Sequence, residues 1–124
     1  MREKVIERKL IQAVRQCGGL ALKFVSPGFN GVPDRLLLFM GGKVAFVEVK
    51  APGEKPRPLQ VHRMEQLREM GFKVFVLDSV DQISVLLKEM LPQESMGRRG
   101  PGAKAPVEPL LNRKAPWERR SNEI

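Results

Sequence analysis

Residues 31–50 read GVPDRLLLFMGGKVAFVEVK, and they contain two apolar runs, 35–40 and 43–50, separated by Gly41-Gly42. A Gly-Gly pair between two apolar runs is typical of a tight β-hairpin, because glycine adopts the backbone angles that such turns require. The pattern therefore predicts two antiparallel strands, in which the start of the first lies beside the end of the second.

The end of this hairpin carries charges in an otherwise apolar sequence. Side chains alternate between the two faces of a strand, so Glu48 and Lys50 project to the same face as Val44 and Phe46. An exposed Glu/Lys pair on a solvated face is the ordinary explanation of such a tripeptide. Asp34 weakens that explanation, because it stands at the start of the neighbouring strand, where the hairpin brings it towards both charges.

Counting outward from the two glycines gives the expected pairing of the strands. Met40 then faces Lys43, and Asp34 faces Val49, one position away from both charged residues. A bulge or a slip of one residue would change this detail and not the convergence of the three side chains.

Two neighbouring carboxylates repel each other unless a cation lies between them. With a backbone carbonyl and water, Asp34 and Glu48 would form an all-oxygen site suited to Mg²⁺. Lys50 beside it would position a water molecule or stabilise charge that develops on a phosphate. A Cys/His zinc site is excluded, because the chain has one cysteine, Cys17, and one histidine, His62.

The sequence on either side of the hairpin predicts three helices and two further strands. The expected elements are a helix at 4–16 ended by Gly18-Gly19, a strand at 20–25, a helix at 59–70 ended by Gly71, a strand at 73–77, and a last helix with Ser79 as N-cap and Gln82 completing a capping box. Loops are expected at 26–33 and 51–58. The order helix, three strands, helix, strand, helix predicts an α/β fold with a central mixed sheet, because the second helix is long enough to connect two parallel strands.

Three further polar side chains fall on or beside apolar helix faces. Glu7 lies at the edge of the apolar face of the first helix, and Glu3, one turn earlier, shares that face. A frayed first turn near the positive helix end explains Glu3 better than Glu7. Gln60 lies on the apolar face of the second helix, where it either joins a site or holds a loop carbonyl, since a buried amide requires hydrogen-bond partners.

The charge of the chain favours a polyanionic partner. Its 124 residues correspond to one domain, and its formal net charge is +8, so nucleic acid is expected ahead of an anionic membrane surface. No apolar run is long enough to span a bilayer, and residues 1–4 lack the apolar segment of a signal peptide. A cytoplasmic protein is therefore expected.

The composition changes after Leu91, which divides the chain into a folded domain, 1–91, and a basic, proline-rich tail, 92–124. The tail has five prolines and only four Leu, Ile, Val or Phe residues, so it is predicted to be disordered. Trp117 is expected to stack on a base or to dock on a partner. The basic pairs of the tail, expected to contact phosphates or to keep the chain soluble, are Arg98-Arg99, Arg113-Lys114 and Arg119-Arg120.

These motifs resemble the PD-(D/E)XK nuclease superfamily and, within it, the small stand-alone phage and prophage members of the VRR-NUC (virus-type replication-repair nuclease) family. The resemblance covers residues 3–91 and implies a restriction-endonuclease-like core. It is carried by Gly-Val-Pro-Asp-Arg at 31–35, Phe-Val-Glu-Val-Lys at 46–50, Ala-Pro-Gly at 51–53 and Pro-Leu-Gln at 58–60. The combination is specific, although Pro-Asp or Glu-x-Lys alone carries no weight. The basic extension after residue 91 is not part of the family pattern.

The resemblance implies roles in catalysis for the charged residues of the hairpin. Asp34 and Glu48 would bind the metal, the Val49 carbonyl would be a further ligand, and Lys50 would be the catalytic lysine.

The resemblance also assigns residues outside the hairpin. Glu7 would be the first-helix acidic residue and a further metal ligand, because its interval to Gly18 is like that between a glutamate and the helix-ending glycine in archaeal Holliday-junction resolvases; Glu3 is the alternative. Ser26 would lie near the phosphate, as a serine of those resolvases does, and Gln60 would be the glutamine that follows the lysine strand.

The implied activity is Mg²⁺-dependent hydrolysis of DNA phosphodiester bonds, with Mn²⁺ as a substitute and a 5′-phosphate as product. A structure-specific endonuclease similar to Holliday-junction resolvases is expected, in a bacterial cell or phage-infected host. Paired cuts across a junction require two sites, so a homodimer is expected. The basic side chains expected to grip the DNA backbone and recognise its shape are Lys23, Arg35, Lys55, Arg57 and Arg63.

Two alternatives stay open. One is a flap or nicking endonuclease that uses the same site on a different DNA shape. The other is a non-catalytic DNA-binding accessory protein, which the presence of Asp34, Glu48 and Lys50 disfavours. A membrane-surface protein is disfavoured as well, because the tail shows no amphipathic helix.

Overall fold

The structure, a computed structural model, describes residues 2–91. This part of the chain contains three helices and four strands. In chain order they are α1 Glu3–Gln16, β1 Leu20–Lys23, β2 Arg35–Phe39, β3 Lys43–Val49, α2 Pro58–Glu69, β4 Lys73–Leu77 and α3 Asp81–Met90. The predicted order of elements is confirmed. The predictions about residues 92–124, namely the disordered tail, its basic pairs and Trp117, lie outside the described residues.

The four strands form one mixed sheet in the order β1-β2-β3-β4. The β1–β2 and β2–β3 pairs are antiparallel, and β3 pairs with β4 in parallel. Helix α2 is the connection between the two parallel strands, as the sequence predicts. Among residues 2–91, no helix has the length and apolar character needed to cross a membrane.

The helices cover the two faces of the sheet unequally. Helices α1 and α3 pack on one face, where α1 buries Ile6, Leu10 and Val14 at intervals of four residues. Helix α2 packs on the other face, where Met64 meets Phe46 of β3. Because strand side chains alternate, the even-numbered residues of β3 point towards α2 and its odd-numbered residues point towards α1 and α3.

The pairing of β2 with β3 differs by one residue from the prediction. Phe39, and not Met40, pairs with Lys43, so the hairpin has a three-residue loop at 40–42. Gly41 and Gly42 have φ values of 87° and 76°, in the left-handed region that glycine occupies at low cost. Met40 joins this loop and is 45% exposed. The prediction of a two-residue connection was wrong, because longer hairpin loops with positive φ are compatible with the same Gly-Gly signal.

Two other local predictions need correction. Strand β1 ends at Lys23 instead of residue 25, because its partner β2 begins only at Arg35. Ser79 is not the N-cap of α3, which begins at Asp81 without a side-chain cap. Gln82 Oε1 accepts hydrogen bonds from the backbone N–H groups of residues 78 and 79, at 2.8 and 3.2 Å. The N–H groups of residues 82 and 83, which an N-cap hydroxyl would bind, donate instead to the carbonyl oxygens of residues 79 and 80.

Candidate active site

The observed hairpin register ends just before the two predicted carboxylates and directs them towards each other. The last pair of the ladder is Arg35 with Val47, and continuing the same register by one position would set Asp34 opposite Glu48. Directly opposite residues of an antiparallel pair project to the same face. The one-residue shift therefore directs Asp34 towards Glu48 instead of Val49, and Glu48 is close enough to raise the pKa of Asp34.

Asp34 is held between the ends of β1 and β3. Its carbonyl oxygen accepts a hydrogen bond from Phe24 N–H at 2.9 Å. Its side-chain Oδ1 accepts a hydrogen bond from Val49 N–H at 3.3 Å. The second carboxylate oxygen, Oδ2, has no hydrogen-bond or ion-pair partner within residues 2–91. One oxygen of Asp34 thus fixes the side chain, and the other has no protein partner among these residues.

Glu48 is a buried carboxylate, 5% exposed, at the end of a central strand. Its Oε2 accepts a hydrogen bond from Gln60 Nε2 at 2.9 Å and lies 3.4 Å from Lys50 Nζ. An amide and an ammonium group together offset the cost of burying this charge. Its Oε1 has no such partner in the described part of the chain. Like Asp34, it therefore presents one engaged and one open oxygen.

Gln60 is oriented by the start of α2. Its Oε1 accepts a hydrogen bond from Arg57 N–H at 2.8 Å. A backbone N–H can only donate, so the amide oxygen must face Arg57 and the NH₂ group must face Glu48. Pro58 at the first helical position has no N–H of its own to satisfy. The inward amide expected at this position is confirmed, and its partners are a helix terminus and the buried carboxylate.

The environment of Asp34 raises the pKa of its carboxyl group from 3.8 to about 6. Burial is the main cause, and repulsion from Glu48 is the second. Glu7 and Glu3 add to the increase, whereas the hydrogen bond from Val49 N–H opposes it. The negative charges are thus close enough to disfavour ionisation of Asp34, which is the condition that a bound cation would relieve.

Glu7, one of the two candidates for the first-helix acidic residue, is tied to the residue after Asp34. Glu7 Oε2 lies 3.1 Å from Arg35 Nη2 and accepts a hydrogen bond from Arg35 Nε at 3.3 Å. Glu7 also raises the pKa of Asp34 more than Glu3 does, so Glu7 interacts more strongly with the candidate site. The sequence suggested the acid by its position on the helix, but it gave no signal for the ion pair with Arg35.

The donor set fits a hard divalent cation on two carboxylates, one from β3 and one just before β2. Asp34 and Glu48 each leave one oxygen open, and oxygen ligands suit Mg²⁺. Within residues 2–91, no three His, Cys, Asp or Glu side chains form a group that could hold one ion. Glu7 is not grouped with the other two acids, and its carboxylate is paired with Arg35. Its role as a ligand, like that of the Val49 carbonyl, stays a prediction.

The five predicted DNA-binding cations fall into two groups. Lys23, Lys55 and Arg57 are exposed. The side chain of Arg35 is only 14% exposed and is paired with Glu7. Arg63 donates from Nε to the Asn30 carbonyl oxygen at 2.7 Å, so both arginines of this second group have protein partners.

A cleft of about 510 Å³ lies beside Gln60, between the loop that precedes Asp34 and the start of α2. Ser26 lies earlier in the same loop and is half-buried. Its carbonyl oxygen accepts a hydrogen bond from Phe29 N–H at 3.1 Å. The predicted position of its hydroxyl near the phosphate stays a prediction. The residues that line the cleft are Asn30, Gly31, Arg57, Pro58, Leu59 and Gln60.

Three residues at this site have roles that sequence reasoning missed. They are Phe29, whose ring lies against Arg63, Asn30, whose carbonyl binds Arg63, and Leu59, which packs against Gly31. Residues 28–31 indicated only a loop by their glycines. The aromatic residue in that glycine-containing loop was the one available signal.

Comparison with known proteins gives three concordant results. The VRR-NUC domain family model matches residues 3–81. The chain is 54% identical over 86 residues to "Putative nuclease p44" of Acyrthosiphon pisum secondary endosymbiont phage 1, which covers 69% of this chain and 92% of the phage protein. It is also similar to a solved VRR_NUC domain, with a TM-score of 0.67, 31% identity, and coverage of 72% of this chain and 97% of that one.

The matched region contains the whole β2–β3 hairpin and α2, so it includes every residue of the candidate site. The fold, the paired carboxylates at the hairpin end and the sequence identity point to the same family. We conclude that the chain belongs to the VRR-NUC family, a nuclease family of the PD-(D/E)XK superfamily.

Proposed function

We propose that this nuclease is a metal-dependent endonuclease that hydrolyses phosphodiester bonds in branched DNA, with a four-way junction as the preferred substrate. The observation that carries the proposal is the convergence of Asp34, Glu48, Lys50 and Gln60 at one end of the sheet. Burying charged and amide groups at the end of a sheet costs folding free energy. Such a cluster is therefore typical of a functional site.

Asp34 and Glu48 would hold Mg²⁺, or Mn²⁺ in its place, through their open oxygens, with the Val49 carbonyl and Glu7 as further candidates. Such an ion, when bound, polarises a phosphoryl oxygen and lowers the pKa of a bound water. The raised pKa of Asp34 supports this assignment, because a cation near Asp34 and Glu48 would favour the ionised form.

The remaining residues of the site position charge around these two carboxylates. Gln60 donates a hydrogen bond to Glu48 Oε2. This contact fixes the orientation of the carboxylate and therefore the position of its other oxygen, Oε1. The Lys50 ammonium group, 3.4 Å from the same Oε2, supplies a positive charge where the phosphate of a substrate would approach. A preorganised cation stabilises the negative charge that develops on phosphate during hydrolysis.

Exposed cations outside this site would bind the DNA backbone. Lys23, Lys55 and Arg57 are exposed, and the chain carries a formal net charge of +8. Contacts to phosphates do not read bases, which suits recognition of DNA shape. Affinity should therefore fall steeply with salt.

A symmetrical pair of cuts across a junction would require two copies of the site, and hence a homodimer. Light scattering on the purified chain measures this directly. A monomer at the concentration used for cleavage would remove the dimer from the proposal and would favour single cuts in flaps or nicked DNA.

The function is tested by comparing cleavage of synthetic four-way junctions, flaps, nicked and linear duplexes, with Mg²⁺ or Mn²⁺ supplied. The variants are wild type, Asp34→Asn, and Asp81→Asn as a matched control at the start of α3. We expect the junction to be cut by wild type and the control, and bound but not cut by Asp34→Asn. Preferred cutting of flaps would select the alternative nuclease. Salt-dependent binding without any cutting by wild type would select the accessory DNA-binding protein.

A further inference from the structure

Arg63 makes three contacts that fix its guanidinium group. Its Nε donates a hydrogen bond to the Asn30 carbonyl oxygen at 2.7 Å, and its Nη1 donates to Gln66 Oε1, one turn further along α2, at 3.1 Å. The central carbon of the guanidinium group lies 3.7 Å from the centroid of the Phe29 ring, which is a cation–π geometry. We call the contacts with Phe29 and Asn30 the Arg63 clamp.

A second contact lies directly beside the clamp. Gly31 has a φ of +89°, and a Cβ atom at this position would lie 2.7 Å from Leu59 Cγ and 3.2 Å from Arg63 Cγ. The backbone of the loop is therefore pressed against α2 where only glycine fits. Gly31 sets how closely the loop approaches the helix, and Arg63 holds it there.

The two elements joined in this way carry opposite sides of the candidate site. The loop leads through buried Pro33 to Asp34. The helix carries Gln60, which binds Glu48. The clamp lies one helical turn from Gln60, and its loop contacts lie four and five residues before Asp34, so it constrains the separation of the Asp34 carboxylate from Glu48 and its amide partner.

We infer that Arg63 is a positioning residue, which sets the distance between Asp34 and Glu48, and that it is not the phosphate contact expected from its charge. The inference rests on the proposed function for its effect on cleavage. An arginine is required because only a planar guanidinium group can stack on Phe29 while donating in two directions. A lysine would keep the charge and lose the geometry.

The test compares four variants that differ in charge and in geometry: Arg63→Lys, Arg63→Ala, Arg57→Ala and Phe29→Leu. Arg57 is the matched control, since it is an exposed arginine at the start of the same helix. Three quantities are measured: amide hydrogen exchange of residues 26–34 in the metal-free protein, the dependence of DNA affinity on salt, and the Mg²⁺ concentration for half-maximal cleavage.

The clamp predicts that Arg63→Lys resembles Arg63→Ala. In both variants the loop amides should exchange about tenfold faster than in wild type, because the free energy that holds the loop closed falls by roughly 1.4 kcal/mol. The Mg²⁺ concentration for half-maximal cleavage should rise about tenfold. The slope of log affinity against log salt should stay at the wild-type value. Arg57→Ala should reduce that slope by about 0.9 and leave loop exchange unchanged. Phe29→Leu should increase loop exchange without changing charge.

The inference is overturned if Arg63→Lys matches wild type in loop exchange, or if Arg63→Ala reduces the salt slope as Arg57→Ala does. If the Arg63 variants do not fold, amide hydrogen exchange of the loop in Phe29→Leu still tests whether the clamp holds the loop. Wild-type loop exchange in that variant would also overturn the clamp. If wild type cuts no DNA, the proposed function fails, and the exchange data still decide whether Arg63 holds the loop.

Discussion

The two faces of the sheet are built from different kinds of residue. On the face covered by α1 and α3, the described residues include fourteen buried apolar side chains in one cluster. On the α2 face, the corresponding cluster has three, Phe46, Met64 and Val74. Both buried polar residues of the described chain, Glu48 and Gln60, lie on this smaller side. The face covered by α1 and α3 thus holds most of the apolar core, and the α2 face of the same strands holds the candidate site.

The division has a physical reason. A strand buried on both faces alternates its side chains, so one strand can place Val47 and Val49 in the large cluster and Glu48 between them on the other side. A carboxylate in the large cluster would find no donor there. On the α2 face, the start of the helix and Lys50 supply donors, and the margin of the sheet lets a ligand approach.

The largest effect should follow from Glu48→Gln. The change keeps the shape of the side chain and removes the charge that a cation would need, so cleavage should fall by about 10³-fold, or roughly 4 kcal/mol in the barrier. Single-turnover cleavage of a junction measures it. Glu65→Gln, on the exposed surface of α2, is the control and should cut at the wild-type rate. Comparable activity in both variants would show that the α2 face does not carry the chemistry.

Substitutions on the face covered by α1 and α3 should lower the stability of the fold and leave the cleavage rate unchanged. Leu86 is 1% exposed in the large cluster, whereas its neighbour Val85 is 57% exposed. Leu86→Ala should lower the free energy of unfolding by about 3 kcal/mol because it leaves a cavity, and Val85→Ala by less than about 0.5 kcal/mol. Urea denaturation measures both. A folded Leu86→Ala protein should cut DNA at the wild-type rate, and a loss of rate at full folding would contradict the division of the faces.

A smaller effect is expected at the amide that orients Glu48. Gln60→Leu removes the hydrogen bonds to Glu48 and to Arg57 N–H, so cleavage should fall by about 10-fold to 100-fold, as for other partners of metal ligands. Gln12→Leu changes an exposed glutamine on α1 and should have no effect on cleavage. Equal rates for the two variants would mean that Lys50 alone positions the carboxylate.

Much of this arrangement follows from local pattern. Alternation along a strand predicted that Glu48 and Lys50 share a face, and their 3.4 Å separation agrees. The apolar face of α2 predicted that Gln60 points inward, and it is 7% exposed. These predictions hold because the periods of strands and helices are fixed by backbone geometry, whatever the tertiary contacts are.

Other features depend on contacts between distant parts of the chain. A Gly-Gly signal is compatible with two loop lengths, so the register of the hairpin was missed by one residue. The charge of Arg63 suggested phosphate, but its partners lie 33 and 34 residues away at Asn30 and Phe29. Charge alone does not reveal whether a side chain already has a partner. The division into a folded domain at 1–91 and a tail stays a prediction.

The smallest effect concerns the stability of the metal-free protein. The pKa of Asp34 in the folded chain, about 6, lies above its ordinary value of 3.8, so the folded state holds the proton more tightly. The protonated Asp34 carboxyl group contributes to the free energy of unfolding. This contribution is complete below pH 3.8 and is lost as the pH rises through 6. At pH 8 the ionised carboxylate therefore destabilises the fold, and Asp34→Asn should raise the melting temperature by about 5 °C.

The comparison is made in EDTA by calorimetry at several pH values. The advantage of Asp34→Asn over wild type should shrink as the pH falls from 7 to about 4, because the wild-type carboxyl group becomes neutral over that range. Addition of Mg²⁺ at pH 8 should raise the melting temperature of wild type and leave that of Asp34→Asn unchanged, since only the carboxylate gains a cation. A wild type that is more stable than Asp34→Asn at pH 8 without metal would mean that Asp34 is stabilised within the fold. The carboxylate pair would then be a structural feature and not a site held ready for an ion.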